Sequence, residues 1–161
     1  MSLGTVQLPV SAVKLPTTAT PYIDSSSVNT KLVFDNATAQ CAVWEFTMPM
    51  DFSDSLTLST WYTMSSGNTL VVRTQASLMK LAANTTTLAT AEPYGTVVNC
   101  DDTVNSTAGA AKFMNCALTN NVGLGAGDAA KLKFCRAGND AADTATGLME
   151  VIRARLAYRK Q

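Results

Sequence analysis

Cys41-Ala42-Val43-Trp44-Glu45-Phe46-Thr47-Met48 alternates with a period of two. Ala42, Trp44, Phe46 and Met48 fall on one face, and Val43, Glu45 and Thr47 on the other, as in a strand that packs one side on a core and turns the other to water. After the turn-like Pro49-Met50-Asp51-Phe52-Ser53-Asp54-Ser55, alternation resumes, with Leu56, Leu58, Tyr62 and Met64 opposite Thr57, Ser59, Trp61 and Thr63. The two runs predict adjacent strands of an antiparallel sheet. The outward Trp61 predicts that the second face is also covered by something.

Reading outward from there, strands are expected near 31–34, 41–48, 56–64, 69–81, 94–100, 111–118, 131–136 and 148–158. They are separated by turn formers such as Asp35-Asn36, Ser65-Ser66-Gly67-Asn68, Asn84 with its threonines, Asp101-Asp102, Asn120-Asn121 and Gly138-Asn139-Asp140. About eight such strands predict an all-β, antiparallel jelly-roll sandwich over residues 31–161, because two sheets must cover each other's apolar faces. Short helices are expected only around 126–130 and 140–146. No repeat of solenoid length is present.

Residues 1–30 read differently. Pro9, Pro16 and Pro21 punctuate a stretch whose Val6, Leu8, Val10, Val13, Leu15 and Ile23 are too apolar for an idle linker. The expectation is an extended N-terminal arm lying along a surface, either a partner's or its own domain's. Docking on a neighbouring subunit by β-augmentation makes Val6, Leu8, Val10, Val13 and Leu15 candidate partner-binding residues.

The chain has 161 residues, room for one real core. Twelve acidic and twelve basic residues cancel, which removes the general electrostatic argument for nucleic acid as a partner. Charged residues make up 15%, against about 25% in ordinary soluble domains, so the surface is easily buried against other subunits. No run approaches a membrane span, and Met1-Ser2-Leu3-Gly4-Thr5 lacks a secretory pattern, which predicts a protein made and kept in a cytoplasm or one whose signal has been removed. Cys41, Cys100, Cys116 and Cys135 form no CxxC unit and have no His co-ligand, so no zinc site is expected. They are expected to be buried thiols, or disulfides in one of three complete pairings if the mature protein sits outside a cell.

Histidine is absent, which excludes His triads, His metal ligands and His proton shuttles. Asp101-Asp102 is the nearest acidic pair, but neighbours on a strand point to opposite faces, so a glycosidase couple is not expected. Gly123-Leu124-Gly125-Ala126-Gly127-Asp128 lacks the spacing of a phosphate-binding loop and predicts a tight turn in which Asp128 accepts from nearby amides. Asn36-Ala37-Thr38, Asn84-Thr85-Thr86 and Asn105-Ser106-Thr107 match the glycosylation pattern by coincidence in an Asn- and Thr-rich chain. In the closing run, Ile152, Ala154, Leu156 and Tyr158 share one face. Val151, Arg153, Arg155 and Arg159 share the other, a basic surface suited to an acidic partner, and Trp61, Arg153, Arg155 and Arg159 complete the candidate partner-binding residues.

The stretch Leu32-Val33-Phe34-Asp35, then Ala42 to Pro49, then Leu56-Thr57-Leu58 with Trp61, resembles small jelly-roll proteins of tailed-phage virions. Ala126-Gly127-Asp128 leading into Leu132-Lys133-Phe134-Cys135-Arg136, and the final run 148–158, resemble the last third of the same proteins. That resemblance, over about 31–158, implies a non-enzymatic capsid decoration (cement) protein on the virion surface, assembled in the host cytoplasm. The implied form is a homotrimer bound to the major capsid protein, without cofactor, nucleic acid or membrane. The alternative is a fibre or a receptor- or carbohydrate-binding jelly-roll module, for which Trp44, Trp61, Tyr62 and Tyr94 are the available rings, Trp44 being better used in the core.

Overall fold

The computed structural model describes residues 2–26, 28–81 and 92–161, so the Asn84-Thr85-Thr86 turn lies outside the described residues. Among those described, ten strands form: β1 (Leu3–Leu8), β2 (Tyr22–Asp24), β3 (Lys31–Phe34), β4 (Ala39–Thr47), β5 (Phe52–Met64), β6 (Val71–Leu81), β7 (Val98–Thr103), β8 (Lys112–Leu118), β9 (Ala129–Ala137) and β10 (Met149–Lys160). One sheet runs β2-β3-β10-β5-β8, with β1 also paired to β10; the other runs β4-β9-β6-β7. Every pairing is antiparallel, and the two sheets stack as a jelly-roll sandwich.

The apolar faces read from the sequence meet between the sheets. Trp44 and Phe134 from one sheet pack with Phe34 from the other, the Phe34 and Phe134 rings 5.7 Å apart edge to face. Strands β4 and β5 are not neighbours, contrary to the paired-strand expectation: the turn through Pro49 and Met50 carries the chain from the four-stranded sheet to the six-stranded one. The alternation gave each strand's inward face correctly, but alternation is the same whether the next strand pairs beside it or packs opposite.

Neither expected helix forms. Residues 126–128 make the turn into β9, with Gly127 at φ +77° and Asp128 accepting the Gly125 amide at 2.6 Å. Residues 140–146 are held open by a buried ion pair. Arg136 is fully buried, its Nε 3.0 Å from Asp143, with Nη1 donating to the Gly147 carbonyl and Nη2 to that of Ala145. Three fixed acceptors around one guanidinium set the loop's path more firmly than an Ala-rich segment's helix propensity could.

Strands β1 and β2 join the domain's own sheet, so of the two surfaces expected for the arm of residues 1–30, a partner's or its own domain's, the chain uses its own. Strand β1 pairs with β10 from Leu3 opposite Arg159 to Leu8 opposite Ala154, and β2 pairs with β3. Gly4 permits this, since a Cβ there would come within 2.1 Å of the Tyr158 ring. The chain then crosses the sandwich through a 3-10 turn at Val10–Ala12 and bonds the edge of β4, Lys14 and Val43 exchanging backbone bonds of 2.7 and 2.9 Å. On the way, the Pro9 carbonyl accepts the buried Trp44 indole N–H at 2.9 Å. The β-augmentation expected on a neighbour is made on the chain's own sheet edge. Leu8 and Val10 are buried in the core, Val6 and Val13 pack against it, and Leu15 is partly exposed.

The cysteines also depart from the free-thiol reading. Cys41–Cys135 joins cross-strand neighbours of β4 and β9, while Cys100–Cys116 ties β7 to β8, closing the sandwich where an edge strand of each sheet meets the other. No free cysteine remains among the described residues. A loop of this size, with 16 residues separating Cys100 and Cys116, stabilises by roughly 3 kcal/mol through restriction of the unfolded chain.

Two outcomes follow from this architecture. Deletion of residues 2–12 removes two buried apolar side chains, each worth about 1.5–3 kcal/mol, together with the hydrogen bonds of β1, and lowers equilibrium stability by at least about 3 kcal/mol. An unchanged urea midpoint for the truncated protein contradicts the placement of β1 and Val10. Replacing Cys100 and Cys116 together by alanine lowers stability by about 3 kcal/mol, and a thiol titration of the denatured, unreduced wild type finds no reactive cysteine.

Candidate functional site

The central strands of the six-stranded sheet turn alternate residues outward, and the register aligns them in rows. Phe113, Trp61 and Arg153 form one row across β8, β5 and β10; Asn115, Ser59, Arg155 and Gln7 form the next, reaching β1. Ala117, Thr57, Ala157 and Thr5 form a third, with Leu3 and Arg159 beyond it. The alignment depends on a β-bulge: between Val151, opposite Tyr62, and Arg153, opposite Trp61, β10 carries the extra residue Ile152. Val151 therefore points into the core and is fully buried, which corrects its expected place on the basic face, while Arg153, Arg155 and Arg159 do face outward.

These rows floor a groove of about 490 Å³ lined by Leu3, Ser55, Thr57, Ser59, Phe113, Asn115, Arg155, Ala157, Tyr158 and Arg159. At one end the Trp61 and Phe113 rings lie 4.6 Å apart; Phe113 lines the groove and is 42% exposed, while Trp61 is half-buried beside it. Arg155 and Arg153 sit over the Trp61 ring at 4.9 and 5.4 Å, cation–π contacts that fix both side chains. Ser59 donates to Asn115 at 2.8 Å, and Arg153 to Gln7 at 3.3 Å. At the other end the Tyr158 hydroxyl donates to Asp51 at 2.6 Å. That bond holds the phenol above its usual range and the Asp51 carboxyl below the usual carboxylate range.

The candidate residues thus separate into two groups. Trp61, Arg153, Arg155 and Arg159 come together on this face; Val6, Leu8, Val10 and Val13 serve the core beneath and beside it. Of the other rings, Trp44 and Tyr62 are buried, and Tyr94 lies on the opposite sheet under Lys133, 5.4 Å from its ammonium. Phe113, Asn115, Ser59 and Gln7 were missed. The alternation of Met114, Cys116 and Leu118 already turns Phe113 and Asn115 outward, but only the pairing of β8 with β5 puts Phe113 beside Trp61.

Chemically the groove can stack a ring and donate or accept hydrogen bonds. Elsewhere, Asp101 pairs with Arg73, while Asp102 turns to Tyr62 and Lys112, so the adjacent carboxylates do diverge. No three metal-ligating side chains converge among the described residues.

No family model and no curated protein sequence matches the chain. Solved structures do. The chain is similar to a family 35 carbohydrate-binding module from an environmental isolate, with a TM-score of 0.55 and 16% identity over 97% of this chain and 92% of that one. It is similar to the family 35 module of Cellvibrio japonicus Abf62, with a TM-score of 0.55 and 11% identity over 98% and 99% of the two chains. A family 35 module from Clostridium thermocellum gives a TM-score of 0.54 and 11% identity over 95% and 97%. At these identities the likeness is one of fold.

Proposed function

We propose that this chain is a non-catalytic carbohydrate-binding module that holds a glycan in the outward groove of its six-stranded sheet. The observation that carries the reading is Phe113, exposed in the groove beside the half-buried Trp61 ring, with Ser55, Thr57, Ser59, Asn115 and Arg155 along the same lining. A sugar ring has an apolar C–H face and a rim of hydroxyls. Aromatic rings receive the first and a row of short polar side chains the second, the division of labour of a specific small-ligand site. Architecture shared with family 35 carbohydrate-binding modules supports the reading by analogy.

Capsid decoration by a trimer was implied by the resemblance alone, and the anchoring role expected of the apolar N-terminal arm loses its support with Leu8 and Val10 in the core. Two disulfides favour action in an oxidising setting outside a cell. Phe113→Ala, at an exposed position, leaves the thermal midpoint within a few degrees and weakens glycan binding by about tenfold or more, as removal of a stacked ring does. A glycan array probed with wild type and variant checks this. Absence of any glycan signal for the wild type at tens of micromolar, or full binding by Phe113→Ala, contradicts the reading.

A further inference from the structure

We infer that the glycan held in this groove is an acidic one, its carboxylate or sulfate groups received by Arg155 in the groove lining and by Arg153 beside it over Trp61; the inference rests on the reading of the groove as a glycan site. The chain is neutral overall, with twelve cations against twelve carboxylates, and the fold pairs them with few exceptions. Lys14, Lys31, Arg73, Lys80, Lys112, Lys131, Arg136, Arg159 and Lys160 each have a carboxylate within 4 Å. Among the described residues, that leaves Lys133, which caps Tyr94, and the two arginines over Trp61.

The groove itself is lined by Arg155 and Arg159 and by no Asp or Glu among the described residues. Asp54, the partner of Arg159, lies 3.5 Å away and is half exposed, a contact too weak to cancel that charge. Two guanidinium groups beside an aromatic pair, without an internal counter-ion, form a local positive field in an otherwise balanced surface. Their planar donor forks match the paired oxygens of a carboxylate or sulfate, and stacking on Trp61 holds them in place before a ligand arrives, which reduces the ordering cost of binding. A neutral glycan would leave both cations facing the ligand without an acceptor of matching charge. An acidic one supplies it while its ring rests on Phe113.

The test titrates the disulfide-intact protein by calorimetry with four polymers. Polygalacturonate carries carboxylates, dextran sulfate carries sulfates, and fully methyl-esterified polygalacturonate and dextran are their neutral counterparts. At least one acidic polymer is expected to bind about tenfold or more tightly than its neutral counterpart, the scale of a charge-assisted contact. The tighter of the two acidic polymers assigns carboxylate or sulfate. Arg155→Gln is expected to abolish that preference and Phe113→Ala to weaken the acidic and neutral polymers alike. Should Arg155→Gln fold poorly, the same loss of preference is read from Arg153→Gln, whose side chain is exposed. Equal binding of acidic and neutral polymers, unchanged by the arginine variants, overturns the acidic assignment and leaves the glycan groove standing. Binding of acidic polymers that Phe113→Ala does not affect overturns both, since charge alone is then being read, and binding of none of the four overturns the acidic assignment.

Discussion

Strand β10 is the constraint on which the rest depends. Along one edge it pairs with β3 through Met149–Val151 and with β1 through Ala154–Arg159; along the other it pairs with β5. One strand therefore fixes where the N-terminus, the first hairpin and the longest strand lie. Its inward residues Val151, Ala154, Leu156 and Tyr158 are buried core, and its outward Arg155 and Arg159 line the groove. The Ile152 bulge reconciles the two demands. Without the extra residue, a register that buries Val151 would also turn Arg153 and Arg155 inward, where unpaired guanidinium groups are very costly.

Much of the sandwich was legible in the sequence because the relevant signal is local. Period-two alternation marks Ala42, Trp44, Leu58 and Tyr62 as inward, whatever their partners are, and the eight predicted runs overlap eight of the ten strands, β3 at both ends. Strands β1 and β2 were not legible. The prolines at 9, 16 and 21 read as obstacles to regular structure, yet each lies outside a strand, and Val10 and Val13 between them face this chain's own core. A sequence tells that Leu8 and Val10 need cover but not whose surface supplies it.

The site was half legible for the same reason. Arg153, Arg155, Arg159 and Trp61 stand out as an outward basic and aromatic set, but their convergence is a matter of register between strands about ninety residues apart. Phe113 joins them only through β8, which pairs on the far side of β5. The disulfides follow the same rule: Cys41 and Cys135 are 94 residues apart and meet because β4 and β9 do.

Nuclear magnetic resonance titration of the labelled protein with the tightest-binding oligosaccharide tests the central claim most directly. The account predicts that the largest shifts fall on the Trp61 indole N–H, the Arg155 Nε–H and the amides of Asn115 and Ser59, with the opposite sheet around Tyr94 and Lys133 unmoved. Shifts centred on that opposite sheet, or on the loops at the ends of the sandwich with Trp61 and Arg155 unperturbed, would contradict it.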